Sequence, residues 1–216
     1  MKKRTKITAL LLLAAMLLSL CACGGAPAAP ETTAVPATEA PSTESAQTVA
    51  PASDTRIITD MLGREVEIPT QVERIVPLGN APRMISYLKL ADRVVGIEEC
   101  EIAKGPIQAY AYPHVDQWSK LPNCGTNSMG ETAYYPEQIM MADPDVILTT
   151  DNAEVADNLQ SQTGIPVVCV SQGTLFGEDY NESLRTLADV CGVSDRAEQL
   201  IAFIEQCLED LSARAK

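Results

Sequence analysis

Pro136–Thr150, Pro-Glu-Gln-Ile-Met-Met-Ala-Asp-Pro-Asp-Val-Ile-Leu-Thr-Thr, sets a proline-bounded helix directly before a buried strand. Pro136 suits the first turn of a short helix, where its missing N–H would be unpaired anyway. Ile139, Met140 and Met141 supply an apolar side, and Pro144 ends the helix because the residue before a proline is pushed out of the α region. Val146-Ile147-Leu148 then runs apolar without interruption, which predicts a parallel strand covered on both faces. The strand closes on Thr149-Thr150-Asp151-Asn152, small polar residues at a carboxyl end. In open α/β sheets ligands bind at that edge.

The same grammar extends outward in both directions. Arg56–Pro69 predicts a hairpin, with Val66 and Ile68 alternating with glutamates and Gly63 at the turn. Arg74–Leu78 predicts the first buried strand, followed by a helix from Pro82 carrying Met84, Ile85 and Leu88. Val94–Ile97 predicts a second strand and Leu121–Gly125 a short third one, which runs out into a loop at Thr126–Gly130. Ala153–Thr163 predicts a helix stopped by Gly164 and Pro166, Pro166–Val170 the next strand, and Leu184–Cys191 a helix ending at Gly192. Ser194-Asp195 with Glu198 reads as a capping box. Behind it Ala197, Leu200, Ile201, Ile204, Leu208 and Leu211 form one apolar stripe that continues to the last residue.

Lys2, Lys3, Arg4 and Lys6 precede an apolar run from Ile7 to Leu20. A basic head and a run shorter than a membrane span read as a signal peptide over residues 1–22. Leu20-Cys21-Ala22-Cys23 resembles a bacterial lipobox, with Cys23 as the acylated residue; a plain secretion signal is the alternative. Residues 23–55, rich in Ala, Pro, Thr, Ser and Glu, read as a lipid-anchored disordered linker. A glycosylated stalk fits the same composition.

Removing residues 1–22 takes away four bases and no acids, leaving 12 bases against 29 acids. A balance that acidic excludes nucleic acid, which needs basic patches. Past the signal end, Cys100, Cys124, Cys169, Cys191 and Cys207 remain. Their odd number and the lack of a C-x-x-C pair make a poor disulfide framework and a poor zinc site. Cys169, Cys191 and Cys207 are expected on apolar element faces, and Cys100 and Cys124 in loops. The single His114 makes a transition-metal cage unlikely to be built from histidines, and no metal site or cofactor is expected in the protein itself. The chain has no phosphate-cradling Gly-x-Gly-x-x-Gly and no nucleophile elbow, so it does not read as an enzyme.

Several motifs recur together in one order: Asp60-x-x-Gly63-Arg64-x-Val66-x-Ile68-Pro69, Arg74-Ile75-Val76 and Asp92-x-Val94-Val95-Gly96. Pro136-Glu137-x-Ile139, Pro144-Asp145-Val146-Ile147, Gly164-Ile165-Pro166-Val167 and Asp195-Arg196-Ala197-Glu198 follow. In these the chain resembles the solute-binding lipoproteins of ABC importers for iron–siderophore, haem and cobalamin, the class III or helical-backbone binding proteins. The resemblance implies two α/β lobes facing across a cleft and joined by one long helix. It assigns residues 56–193 to a Rossmann-like N-terminal lobe, with a mostly parallel sheet and helices on both faces. Residues 194–216 become the start of the joining helix, and the second lobe is absent, as in a fragment or truncated gene product.

The resemblance also implies partners and a site. The ligand would be a metal chelate, delivered to an ABC permease and its ATPase from the extracytoplasmic face of the cell membrane. Alternatives are cobalamin, an oxyanion such as molybdate, or a surface interaction lobe with no transport role. By strand order the ligand cleft would carry Asn80, Arg83, Tyr110, Tyr112, Asn127, Ser128, Thr150, Asp151 and Ser171, around the Glu98–Cys100 turn. Arg83 could pair an anionic group through its planar fork or be a solvated helix residue. The tyrosines could stack on a chelate or only cover their loop, and Met84 and Met129 read as core filler. Glu137 would dock an arginine of the permease; an acid in a first helical turn also complements the helix dipole.

Overall fold

In a computed structural model of the chain, residues 54–103, 108–128 and 131–215 are described. The lobe begins with an antiparallel hairpin, β1 (Thr55–Thr59) and β2 (Glu65–Pro69), in which Ile58 sits opposite Val66. Gly63 takes φ +78° in the turn, as the sequence predicts. Asp60 then fastens the hairpin to the rest of the lobe. Its carboxylate accepts the backbone N–H groups of Leu62 and Arg64, the Arg64 guanidinium at 2.8 Å, and the N–H of Cys169 at 3.1 Å. Arg64 continues the clamp by donating to the Val167 carbonyl and to Asp157. The Asp-x-x-Gly-Arg motif is therefore a buried structural tie between the hairpin and a strand over a hundred residues later.

Three parallel strands form the main sheet in the order β3 (Ile75–Pro77), β7 (Val146–Thr149), β8 (Val167–Cys169). All four residues of β7 are buried, and their side chains divide by strand alternation. Val146 and Leu148 enter one apolar core with Ile75, Val168, Leu184, Leu187 and Ile201. Ile147 enters the other, with Val76, Ile139, Leu159 and Val167. Two covered faces explain why Val146–Leu148 needs no polar alternation.

The helices follow from the same partition. α1 (Ala81–Tyr87), α5 (Glu178–Val190) and α6 (Ser194–Arg214) pack on the first core, and α3 (Pro136–Ala142) and α4 (Ala153–Thr163) on the second. The short α2 (Val115–Trp118) buries Trp118, whose indole N–H donates to the Ala91 carbonyl. α3 ends on Asp143 in the left-handed region, φ 51°, one residue before Pro144. α4 starts with the Asn152 side chain accepting the Val155 N–H and ends on Gly164.

Several sequence expectations are corrected. The predicted strand Val94–Ile97 contributes only a bridge from Val94 to Ile75 and the two-residue β4 (Ile97–Glu98). β4 pairs in parallel with β5 (Asn123–Ser128), and β5 pairs antiparallel with β6 (Glu131–Tyr134). The segment read as a loop after Gly125 is thus a strand of a small mixed sheet, with Asn127 opposite Thr132. Cys124 lies buried within β5, as the predicted strand Leu121–Gly125 requires and against its expected loop position, and Cys207 is exposed. The capping box at Ser194 does not form: α6 has Val193 before its first residue and no side-chain cap, and Glu198 pairs with Arg185 across the α5–α6 contact. Along α6, Ala197, Leu200, Ile201 and Ile204 are buried, whereas Leu208 and Leu211 are exposed. No described helix is long and apolar enough to cross a membrane. The expected signal peptide, Cys23 and most of the expected linker lie outside the described residues.

Candidate functional site

The carboxyl ends of β3, β4 and β7 converge on one edge of the lobe. β3 ends in a turn at Gly79, φ +65°, and a Cβ there would lie 2.7 Å from Thr150 Oγ1. The close approach lets the Asn80 N–H donate to Thr150 Oγ1 at 3.0 Å. The Gly79 N–H donates to the Glu98 carboxylate at 2.6 Å. Glycine is required twice over here, for its backbone conformation and for the missing side chain. The turn ties β3, β4 and β7 together at the edge where the sequence places ligand chemistry.

Glu98 is fully buried, and one of its carboxylate oxygens has no partner among the described residues. Burial raises its pKa from 4.5 to about 8, against the lowering effect of the Gly79 hydrogen bond. The group is therefore a neutral acid at pH 7. Glu101 is 2% exposed, and burial raises its pKa too, opposed by the Tyr110 hydrogen bond and the Arg83 cation. Tyr110 Oη donates to Glu101 Oε1 at 2.9 Å, and burial next to that carboxylate pushes the phenol above its ordinary range.

A cleft of about 240 Å³ opens beside these acids, lined by Gly79, Asn80, Arg83, Cys100, Glu101, Gln108, Tyr110 and Asn127. Among the described residues of that lining Arg83 is the only cation, and its guanidinium lies 5.2 Å from the centre of the Tyr110 ring. That distance suits a cation–π contact. Burial beside Glu101 and Glu98 pushes the Cys100 thiol up to about 12, so it is a protonated, poorly nucleophilic lining group.

The structure brings together four of the residues named from the sequence: Asn80, Arg83, Tyr110 and Asn127 line this one cleft. Thr150 stands behind it as the acceptor for Asn80. Asp151 is committed to its neighbours, accepting from the hydroxyls of Thr149 and Tyr134. Ser171 is likewise engaged, its N–H donating to Ser183 Oγ and its hydroxyl accepting the Gly173 N–H. Tyr112 is 67% exposed and stands apart from the cleft. Ser128 belongs to β5, and its side chain lies outside the described residues, as does Met129; Met84 is buried core. Glu137 is exposed in the first turn of α3, away from the cleft lining.

Glu101 and Gln108 are lining residues that sequence reasoning missed. The one signal was the run of acids Glu98-Glu99-Cys100-Glu101, of which the sequence places only the Glu98–Cys100 turn at the cleft edge, one residue short of Glu101. The structure buries the first and last and exposes Glu99.

Residues 84–216 match the family described as periplasmic binding protein, a span covering more than half the chain. The chain belongs to that family. A curated relative, the uncharacterized ABC transporter substrate-binding lipoprotein YvrC of Bacillus subtilis (strain 168), is 28% identical over 222 residues. That alignment takes in 100% of this chain and 60% of the relative. The crystal structure of a periplasmic solute binding protein from Veillonella parvula DSM 2008 superposes with a TM-score of 0.60 at 24% identity, covering 74% of this chain and 48% of that one. The siderophore binding protein BauB, solved with two molecules of acinetobactin and ferric iron, superposes with a TM-score of 0.57 at 15% identity, covering 74% and 54%. The periplasmic binding protein fold is thus shared with these structures, and this family member spans about half the length of the solved ones.

Proposed function

We propose that the protein is the solute-binding lipoprotein of an ABC importer, capturing a ferric chelate such as a siderophore complex and handing it to the permease and its ATPase. The observation that carries this reading is the cleft at the carboxyl edge of a parallel sheet, where Arg83 is held against Tyr110 with no ion pair among the described residues. An anionic or oxygen-rich chelate presents the acceptors that a guanidinium fork takes in pairs, and an aromatic face stacks on flat chelating rings. The siderophore–ferric iron complex seen in BauB supports the ligand class. The lipoprotein designation of the Bacillus subtilis relative supports acylation at Cys23 and a place on the extracytoplasmic face of the membrane.

The proposal keeps residues 1–22 as signal peptide, 23–55 as tether, 56–193 as the first lobe and 194–216 as the beginning of a joining helix. Glu137, exposed and not among the cleft-lining residues, is the permease-docking residue in this reading. No bond-making step is assigned to the cleft residues.

A second reading rests on size. The cleft of about 240 Å³ is smaller than the roughly 300–1,000 Å³ of ordinary small-molecule sites, which suits a compact oxyanion such as molybdate. Isothermal titration of the full-length gene product with ferric tris-catecholate, haemin, cobalamin and molybdate separates the two. Ferric chelate binding that falls about 10- to 100-fold in Arg83→Ala supports the proposal. Binding of molybdate alone, or of none of the four, overturns it.

A further inference from the structure

The cleft holds a guanidinium and a carboxyl group that each keep unused hydrogen-bonding capacity. Arg83 makes no ion pair among the described residues, and its guanidinium faces the Tyr110 ring. Glu101 receives the Tyr110 hydroxyl on Oε1, with the Cys100 thiol at the longer distance of 3.9 Å. Its other oxygen, Oε2, is buried with no partner among the described residues, although the residue lines the cleft. An orphaned carboxylate oxygen at a residue 2% exposed is costly unless a donor reaches it. Glu101 lines the cleft, so a ligand seated there would bring its own donors next to this carboxyl group.

We propose that Glu101 is the ligand-selecting residue of this cleft, its Oε2 accepting a protonated amine carried by the bound chelate while Arg83 takes the chelate's acceptor oxygens. The assignment rests on the chelate-binding reading and narrows it to ligands carrying an ammonium beside the metal-binding oxygens. Tyr110 serves both halves. Its ring supports the Arg83 cation, and its hydroxyl fixes the Glu101 carboxylate so that the second oxygen is the free one. The charges are complementary as well as placed, since a cationic donor on a carboxylate makes the stronger, charge-assisted bond. A neutral amide or hydroxyl would fill the same position less strongly.

The test compares ferrioxamine B, a ferric hydroxamate with a pendant ammonium, with its N-acetylated form, in which that ammonium is a neutral amide. Affinities of both are measured on the full-length gene product and on Glu101→Gln. The wild-type protein should bind the amine form about 10- to 100-fold more tightly than the acetylated one, the range for a hydrogen bond to a charged group. In Glu101→Gln the ratio of the two affinities should fall to about one, with an unchanged thermal melt reporting that the fold is intact. Equal wild-type affinities, a preference that survives the substitution, or an equal loss for both ligands each overturn the assignment; the last would make Glu101 a support for Tyr110. Binding of an amine-free ferric tris-catecholate without ferrioxamine B overturns the amine and leaves the chelate reading standing. Binding of no ferric chelate overturns both.

Discussion

Replacing Glu98 with glutamine should flatten the pH dependence of stability. The carboxyl is fully buried, and its pKa is raised from 4.5 to about 8, with burial the dominant cause. The sign follows from proton counting. Between those two values the unfolded chain releases a proton that the folded protein keeps, so stability falls as pH rises through the window. It is unaffected below about pH 4.5 and levels off above about pH 8. Each pH unit inside the window is worth about 1.4 kcal/mol, so the loss between pH 5 and pH 7 is about 2.5 kcal/mol. Glutamine keeps a carbonyl for the Gly79 N–H and cannot ionise. Its amide N–H₂ adds a buried donor, but that penalty is constant with pH. Urea unfolding at pH 5, 6, 7 and 8, followed by the fluorescence of the single, buried Trp118, reads the difference directly. With a slope of about 1–3 kcal/mol per molar urea, the wild-type midpoint should drop by about 1 M from pH 5 to pH 7 relative to the variant. Wild type and Glu98→Gln profiles that run parallel from pH 5 to pH 8 would refute the reasoning, because Glu98 would then be ionised and compensated in the fold.

Asp60→Ala should destabilise the lobe by about 3–5 kcal/mol, since it removes at once the buried acceptor of the Leu62, Arg64 and Cys169 N–H groups and of two guanidinium bonds; thermal melting checks it, and a loss below about 1 kcal/mol would mean that the clamp is dispensable. Glu137→Arg should abolish chelate uptake by cells while changing affinity and melting temperature little, because the side chain is exposed and is not among the cleft-lining residues. A matching fall in affinity would return Glu137 to the cleft or to the fold.

Much of the lobe was legible because its signals are local. Proline placement around Pro136 and Pro144, the turn at Gly63 and the uninterrupted Val146–Leu148 run each state a backbone preference that a few neighbouring residues decide. The β3–β7–β8 sheet and its flanking helices followed from that alternation of elements. What the sequence could not state is where distant segments meet. Asp60 reads as a turn acid until the fold brings the Cys169 N–H and Arg64 onto it. Thr126–Ser128 lacks a strand's apolar pattern and becomes one only because β6 folds back on it. Ser194 and Glu198 spell a cap, but Arg185 on α5 offers Glu198 a better partner.

The cleft divides the same way. Its edge was predictable from strand polarity, and Asn80, Arg83, Tyr110 and Asn127 were chosen on that ground. The fate of its acids was not. In Glu98-Glu99-Cys100-Glu101 three carboxylates look alike in sequence, and composition determines only that they are acidic. The tertiary structure alone decided that Glu99 stays in water while Glu98 and Glu101 are buried, because desolvation depends on which surfaces close over a side chain.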